Sequence, residues 1–347
     1  MKEIERLVRD NIRVLSPYST ARDELSGSPD IFLDANESPY PGGGWNRYPD
    51  PRQKELKEAI APIKGVRAGQ IFLGNGSDEA IDLIFRVFCT PGEDNIVAIA
   101  PSYGMYEVAA QINDIEVRKV LLGAEDFSLP SEGLLAACDS HTKAMFLCSP
   151  NNPTGNAFRA GEILALMGGF KGILVVDEAY IDFCSEPSLL GRLDSYPRLV
   201  VLQTFSKARG LAALRLGMAF ACEEIISLMS MVKYPYNINA ATQRLALEAL
   251  QRPIDDEVRT IVSERERLAA LLPGFDCVQK VYPSEANFLL VKVDDADKLY
   301  AHLIADGIIV RNRSRVKLCE GCLRMTVGLP SENDALLASL ATYKTSE

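Results

Sequence analysis

The protein has 347 residues, and its 37 basic and 47 acidic side chains give a formal net charge of −10 at pH 7. This acidic balance argues against a nucleic-acid-binding protein, which needs a basic surface. No apolar stretch approaches the roughly 20 residues of a membrane span, and the charged residues 1–10 do not resemble a secretory signal. We therefore expect a cytoplasmic protein that has no nucleic-acid or membrane partner.

The eight cysteines indicate a reduced chain rather than a disulfide framework, because most of them lie within apolar runs. Cys319 and Cys322 form a C-x-x-C pair. A zinc or redox site would need a second pair or nearby histidines, and the chain has only His141 and His302. We therefore predict no metal site.

Helix and strand patterns alternate along the first two thirds of the chain. Apolar residues at helical spacing predict an N-terminal helix over residues 2–15, and a proline- and glycine-rich loop follows at 39–51. Strands are predicted at 70–73, 95–100, 115–120, 144–148, 173–176, 199–203 and 218–221, and helices at 54–63, 78–88, 103–112 and 161–167. This alternation is typical of an α/β fold with a mainly parallel sheet flanked by helices.

The last third has a different pattern. A long helical stretch at 240–272 precedes predicted strands at 277–281, 287–293, 308–311 and 323–327 and predicted helices at 297–306 and 332–343. We interpret these elements as a smaller α+β unit with an antiparallel sheet. The predicted division is an N-terminal helix and arm at 1–30, a large domain at 31–245 and a small domain at 246–347.

Several candidate site residues follow directly after predicted strands, where ligands bind in parallel sheets. The turn at Gly76 lets the first helical amides, those of Ser77 and Asp78, point at an anion. An ordinary helix N-cap explains these residues equally well. Tyr103 begins another helix, where its ring could stack on a flat cofactor or pack in the core.

Three further strand ends carry polar residues. Asn152 lies in a turn at 148–155, for which an ordinary proline turn is the simpler explanation. Asp177 ends an apolar run and, if desolvated, needs a cationic partner, although a helix N-cap is equally plausible. Lys207 lies among small and apolar residues that would lower the pKa of its amine and make it nucleophilic. The alternative for Lys207 is a surface lysine with a packed stem.

The spacing of these residues suggests one kind of chemistry. A lysine that forms a Schiff base and an acid that pairs with a ring nitrogen are the minimal set for pyridoxal phosphate. Tyr180 could donate a hydrogen bond to the phenolate oxygen of such a cofactor. Ser206 and Arg215 could hold its phosphate, the arginine through its two-pronged fork.

Taken in order, the motifs resemble fold-type I, aspartate aminotransferase-like pyridoxal phosphate enzymes, and within them the histidinol-phosphate aminotransferase family. The resemblance runs from residue 11 to residue 328. It is carried by segments 33–37, 46–49, 76–80, 102–106, 148–155, 177–180, 206–207 and 322–328. It implies a mainly parallel seven-stranded sheet flanked by helices, with a smaller α+β domain at the C-terminal end.

The resemblance also implies roles for residues around the cofactor ring. Lys207 forms the Schiff base with pyridoxal 5'-phosphate, and Asp177 pairs with the pyridine nitrogen. Tyr180 and Asn152 contact the phenolic oxygen, while Tyr103 stacks on the ring.

The resemblance also implies which residues bind the phosphate of the cofactor. These residues are Ser77, Asp78, Ser206 and Arg215, aided by Tyr48 from the partner subunit of a homodimer. One departure from the family pattern is Ala213, which stands where the family usually has glycine.

The substrate end is assigned less completely. Arg324 is expected to hold the carboxylate of glutamate, the amino donor. Arg311 and Tyr18 are candidates for the phosphate or polar end of the other substrate, and Asn36 is a further substrate-binding candidate.

The resemblance implies transamination between glutamate or 2-oxoglutarate and histidinol phosphate or imidazole-acetol phosphate, in L-histidine biosynthesis. An aromatic amino-acid aminotransferase and a threonine-phosphate decarboxylase-like enzyme share this cofactor site and stay open as alternatives. A non-catalytic binding module of the same fold is disfavoured, because such a chain should have lost Lys207 or Asp177.

Overall fold

The computed structural model describes residues 3–18 and 31–344. Within these ranges eleven strands form two sheets. The first sheet contains β1 (Ile71–Asn75), β2 (Asn95–Ala100), β3 (Glu116–Leu121), β4 (Thr142–Cys148), β5 (Ile173–Asp177), β6 (Leu199–Thr204) and β7 (Leu216–Phe220). The second contains β8 (Val278–Val281), β9 (Phe288–Val293), β10 (Arg311–Asn312) and β11 (Cys322–Thr326).

The α-helices of the described ranges lie between these strands and at their ends. They are Asp10–Arg13, Lys54–Lys64, Ser77–Phe88, Met105–Ile112, Ser131–Ala136, Ala160–Gly169, Glu223–Val232, Ala240–Leu250, Asp255–Leu271, Ala296–Ala305 and Pro330–Thr342. None of them is long and apolar enough to cross a bilayer.

The first sheet has the strand order β1-β7-β6-β5-β4-β2-β3. Strands β2 to β6 pair in parallel, and β7 runs antiparallel to both β6 and β1. The predicted mainly parallel seven-stranded sheet is therefore confirmed. Cys148 pairs with Asp177, and Asp177 pairs with Leu202, so the carboxyl ends of the central strands lie side by side.

Both faces of this sheet are covered. Along β5, Leu174 and Val176 pack into one apolar cluster, whereas Ile173 and Val175 pack into the other. Strands buried on two faces read as continuous apolar runs because neither face meets water. Each of these side chains contributes about 1.5–3 kcal/mol of burial free energy, so the sheet forms a rigid platform for the residues at its edge.

The second sheet is antiparallel, with the order β10-β11-β9-β8. Its apolar face packs against Asp255–Leu271, Ala296–Ala305 and Pro330–Thr342 through a separate cluster that includes Leu299 and Leu336. This is the antiparallel sheet expected from the sequence, while the exact domain limits stay a prediction.

The predicted N-terminal helix over residues 2–15 is wrong in extent, because only Asp10–Arg13 is α-helical. Arg9 has an extended backbone, with φ −56° and ψ 143°, and its N–H donates to the carbonyl of Val87 at 3.0 Å. A bond to the neighbouring helix therefore replaces the bond that a continuous helix would require. Ile4, Val8 and Ile12 are still buried as their spacing predicted.

The predicted helical stretch at 240–272 is two helices, Ala240–Leu250 and Asp255–Leu271. Pro253 lies between them. Proline has no N–H to donate and clashes with the preceding helical turn, so the chain turns there.

Candidate active site

A cavity of about 720 Å³ opens at the carboxyl ends of the parallel strands, between the two sheets. Residues from both sheets line it. Eleven of the fourteen predicted site residues are among them: Ser77, Asp78, Tyr103, Asn152, Asp177, Tyr180, Ser206, Lys207, Arg215, Arg311 and Arg324. The cavity therefore collects side chains that are up to 247 positions apart in the chain, from Ser77 to Arg324.

Asp177 forms the floor of the cavity and is buried. The hydroxyl of Tyr106 donates to its Oδ2 at 2.8 Å, and the N–H of Ala179 donates to its Oδ1 at 3.0 Å. Burial raises the pKa of this carboxyl to about 6. A buried carboxylate gains most from a cationic partner, so a protonated ring nitrogen suits this position.

Lys207 projects into the cavity from the loop after β6. The loop is held by buried Phe205, whose carbonyl accepts from the N–H of Leu211 at 3.0 Å, and by a turn in which Gly210 N–H donates to the Lys207 carbonyl at 3.0 Å. The Lys207 Nζ lies 5.5 Å from the centre of the Tyr180 ring. Burial, followed by the charge of Arg324, lowers the pKa of the Lys207 amine. This environment favours the neutral, nucleophilic amine.

One corner of the cavity is suited to an anion. The helix Ser77–Phe88 begins after Gly76, which has φ +74° and offers no side chain to cap the first amides. Gly217 on β7 passes so close below that a Cβ there would lie 2.1 Å from the Ser77 nitrogen. The guanidinium of Arg215 lies above Gly76, where an added Cβ would meet Nη2 at 2.6 Å. Helix amides and a guanidinium converge here, as at phosphate sites.

Asp78 and Tyr103 fix the wall beside this corner. The Tyr103 hydroxyl donates to Asp78 Oδ1 at 3.0 Å, and Arg215 Nη2 lies 3.6 Å from Asp78 Oδ2. Burial raises the pKa of the Tyr103 phenol. The ring of Tyr103 meets the ring of Tyr106 edge-on at 5.6 Å, so its orientation is set by contacts on two sides.

The opposite wall joins the two sheets. Arg324 Nη1 donates to Oδ1 of the buried Asn152. The Arg324 guanidinium also lies 5.2 Å from the centre of the Phe288 ring, which contacts Tyr180 edge-on at 5.2 Å. The predicted cofactor residues and the predicted carboxylate-binding arginine thus belong to one contact network.

Sequence comparison with known proteins agrees with this geometry. Residues 25–340 match the family model described as aminotransferase class I and II. The chain belongs to this family. A histidinol-phosphate aminotransferase of Parabacteroides distasonis is 53% identical over 346 residues, covering 99% of this chain and 100% of that protein. Another protein of that name, from Cytophaga hutchinsonii, is 49% identical over 345 residues, covering 98% of this chain and 99% of that protein.

Solved structures of the aminotransferase fold superpose on the chain. One is histidinol-phosphate aminotransferase from Sinorhizobium meliloti in complex with pyridoxal-5'-phosphate, with a TM-score of 0.77 and 25% identity over 86% of this chain and 83% of that chain. Another is L-threonine-O-3-phosphate decarboxylase from Porphyromonas gingivalis, with a TM-score of 0.70 and 26% identity over 86% of this chain and 91% of that chain.

Three predicted residues of this aminotransferase lie outside the cavity within the single chain. Tyr48 stacks on Tyr236 at 4.5 Å and, with Asn36, lines a separate surface cavity of about 540 Å³. Tyr18 is exposed and lines a third cavity beside Lys57. Their assignment to the site stays a prediction. Ala213, the departure from the family pattern, is exposed and does not line the main cavity.

Two site residues were missed from the sequence. Tyr106 had no predicted role, although it lies three positions after Tyr103 and one helical turn brings both to the same side. Arg313 also lines the cavity. Its signal was the alternation of Arg311 and Arg313, since residues two apart on an extended strand face the same way.

The cysteine pair lies away from these groups. Cys319 and Cys322 are buried free thiols, and burial raises the pKa of Cys319 to about 12 and that of Cys322 to about 11. Thiols in this state are poor nucleophiles and metal ligands. Within residues 3–18 and 31–344, no cluster of three or more potential metal ligands is found.

Proposed function

We propose that this aminotransferase uses pyridoxal 5'-phosphate to move an amino group between glutamate and the histidinol phosphate/imidazole-acetol phosphate pair, in L-histidine biosynthesis. Relatives that share 46–53% identity over nearly the whole chain carry the corresponding name. The observation that carries the proposal is that Lys207, Asp177 and Arg324 line one cavity.

The residues present fit the cofactor. Buried Asp177 needs a cation, which the protonated pyridine nitrogen supplies, and Lys207 is the amine for the aldehyde carbon. The corner formed by Ser77, Ser206 and Arg215 would hold the phosphate. When bound, the cofactor supplies an electron-withdrawing ring that stabilises negative charge at the substrate α-carbon.

The side chains of this protein then have separate tasks. The amine of Lys207 would take the proton from the substrate α-carbon as a general base, and the resulting ammonium would deliver it, as a general acid, to the former aldehyde carbon of the cofactor. Asn152 and Tyr180, from the loops after β4 and β5 of the first sheet, orient the reacting groups. Arg324 binds the α-carboxylate of glutamate through its planar fork, which fixes the α-carbon near Lys207.

Spectroscopy of the purified protein tests this function. Protein supplied with pyridoxal 5'-phosphate should show a visible absorption band that changes on addition of glutamate or histidinol phosphate. Lys207→Ala should lose the wild-type band and reduce both half-reactions by more than about 10³-fold, because base and nucleophile are removed together. A wild-type protein that stays colourless with added cofactor would contradict the proposal.

The alternatives of the same fold are separated by substrate. Phenylalanine tests the aromatic aminotransferase, and phosphothreonine tests the decarboxylase whose solved relative superposes on this chain. We expect the half-reaction with histidinol phosphate to have the highest kcat/KM of the three. A higher value for phenylalanine or phosphothreonine would replace the proposed substrate but not the cofactor.

We also propose that the enzyme works as a homodimer in the cytoplasm. Tyr48 is half exposed and lies outside the cavity of its own chain, which supports its predicted reach into a partner's phosphate corner. A species that sediments as a monomer with full activity would contradict the dimer.

A further inference from the structure

The two residues that follow Lys207 are held by contacts outside the main cavity. Lys207 lines this cavity, whereas Ala208 and Arg209 do not. Ala208 is buried in an apolar cluster that includes Phe288 of β9, and Ile254 packs against the same cluster. Arg209 is half-buried. The loop that carries the lysine is therefore anchored at the residues directly after it.

Arg209 binds the end of a helix. Its Nη1 donates to the carbonyl oxygens of Ala249 and Arg252, each at 3.3 Å. Ala249 lies in the last turn of Ala240–Leu250, and Arg252 lies in the segment that joins this helix to Asp255–Leu271. Carbonyl groups at the C-terminal end of a helix carry partial negative charge and have few intrahelical partners, so a guanidinium binds there favourably.

Other contacts keep the guanidinium directed at these carbonyls. Its Cζ lies 5.4 Å from the centre of the ring of buried Phe205, at the start of the same loop. Burial lowers the pKa of Arg209, and the charges of Asp182 and Asp255 oppose this effect. Asp182 itself pairs with Lys64 at 3.5 Å. Among the described residues, the hydrogen bonds of the Arg209 guanidinium therefore go to backbone carbonyls.

The segment that Arg209 binds leads into the second sheet, which carries Arg324. In the proposed function Arg324 holds the carboxylate of the amino donor, and Lys207 takes the α-proton from it. The distance between these two side chains must therefore be fixed, since a displacement of about 1 Å can cost about 10²-fold in rate. Arg209 joins the lysine loop to the segment that enters the sheet of Arg324.

We propose that Arg209 is a positioning residue for the proton transfer by Lys207. By binding the carbonyls of Ala249 and Arg252, it holds the lysine loop in a fixed place relative to Arg324. The inference rests on the proposed function, which gives Lys207 and Arg324 their tasks. Because Arg209 lies outside the cavity, its loss should lower the rate of the reaction and leave the affinity for substrates unchanged.

The test compares Arg209→Met with Arg252→Met. Methionine keeps an unbranched apolar stem that can pack on Phe205 but cannot donate to a carbonyl. The side chain of Arg252 is mostly exposed and pairs with Glu257 at 3.1 Å. Arg252→Met therefore removes the same charge from the same segment while keeping the backbone carbonyl that Arg209 binds. Arg209→Lys is the conservative variant, because it keeps the charge but lacks the planar fork.

Single-turnover reactions of the cofactor-loaded enzyme measure the effect on catalysis. We expect Arg209→Met to lower the maximal rate by about tenfold with both glutamate and histidinol phosphate. The half-saturating concentrations should stay within about twofold of wild type, because no substrate contact is removed. Arg209→Lys should lose only about threefold, and Arg252→Met should match wild type.

Amide hydrogen exchange of the protein without cofactor measures the loop directly. Peptides that cover residues 205–211 should exchange about tenfold faster in Arg209→Met, because two hydrogen bonds from a charged group are lost. Their exchange in Arg252→Met should match wild type. Peptides that cover β5 should be unchanged in both variants.

Three results would overturn the inference. A raised half-saturating concentration at an unchanged rate would place Arg209 in substrate binding, and faster exchange at an unchanged rate would show a tie without a role in catalysis. Unchanged rate and exchange together would show that Arg209 does not hold the loop. If Arg209→Met fails to fold, Arg209→Lys decides by the same two measurements, since wild-type values for both would contradict the proposal.

Failure of the proposed function gives a different result. A wild-type enzyme that reacts with neither substrate would contradict that function, and hydrogen exchange would still report whether Arg209 holds the loop.

Discussion

The floor of the cavity, at Asp177, and the arginine wall formed by Arg311, Arg313 and Arg324 are built in opposite ways. At the floor, Asp177 is buried and accepts hydrogen bonds from Tyr106 and Ala179. At the wall, Arg313 and Arg324 keep buried Nε groups without partners among the described residues. The floor comes from the rigid, mainly parallel sheet, whereas the wall comes from the short edge strand β10 and its neighbour β11.

This difference follows from what each region must bind. A cofactor remains in place through both half-reactions, so its partners gain from being held in advance by protein hydrogen bonds. Two substrates of different length and charge exchange at the wall. Donors that the protein leaves unpaired there can be satisfied by the anionic group of either substrate.

Among substitutions that test the difference between floor and wall, we expect the largest loss of rate from a substitution of Asp177. Asp177→Asn keeps the shape of the floor but cannot stabilise a protonated ring nitrogen. We expect both half-reactions to fall by about 10²–10³-fold, the usual cost of one preorganised electrostatic group, with similar losses for glutamate and histidinol phosphate. Single-turnover rates measure this, and a loss confined to one substrate would break the distinction between floor and wall.

The same carboxyl makes a pH prediction for the protein without cofactor. Its pKa is raised from 3.8 to about 6 in the folded state, so the folded protein binds its proton more tightly than the unfolded chain. This contribution to stability is full below about pH 4 and is lost as the pH rises to about 6. The free energy of unfolding of Asp177→Asn relative to wild type should therefore increase by about 2 kcal/mol over this range.

Urea unfolding of both proteins at several pH values measures that difference. A difference that does not change over this range would show that the pKa of Asp177 is not raised in the folded protein, which means that the floor carries its charge without a ligand. The paired variants cancel the titration of all other groups.

We expect the smallest effect, on cofactor binding, from a substitution of Tyr106. Tyr106→Phe keeps the ring contacts with Phe146 and Tyr103 but removes the bond that lowers the pKa of Asp177. We expect cofactor binding to weaken by about tenfold, in line with one hydrogen bond to a charged group. The acid limb of the pH–rate profile should also move to higher pH.

Equilibrium dialysis of the cofactor and the pH profile of kcat/KM check this prediction. A packing defect alone would lower stability without moving the acid limb, so an unmoved limb would remove Tyr106 from the functional floor. Tyr300, a half-buried tyrosine in the small domain, provides a Tyr→Phe control away from the cavity.

Part of the site was predictable because strand ends can be recognised locally. Asp177 and Lys207 each follow an apolar run, and parallel strands bring such ends to one edge of the sheet. That reasoning predicted that Asn152 and Asp177 follow the ends of strands at one edge of the sheet. In the structure the strand ends Cys148 and Asp177 are paired, and Asn152 and Asp177 line the same cavity. The resemblance to a known family then supplied the roles of these residues.

Other features depended on contacts between distant segments. The break in the N-terminal helix arises from the bond between Arg9 and Val87, and nothing in residues 2–15 signals it. The helices Ser131–Ala136 and Glu223–Val232 were not predicted, and the second is held by Ile225, Ile226 and Met229 against the sheet. Tertiary burial decides such cases because local propensity differences are small.

By itself, the sequence determined the order of the elements, the mainly parallel sheet and the residues at its strand ends, since hydrophobic periodicity and turn residues act locally. Only the tertiary structure decided that Tyr106 supports Asp177 across 71 positions and that Arg311, Arg313 and Arg324 form one wall. Hydrogen bonds and charge clusters join residues by distance in space, and the spacing of residues along the chain carries no direct measure of that distance.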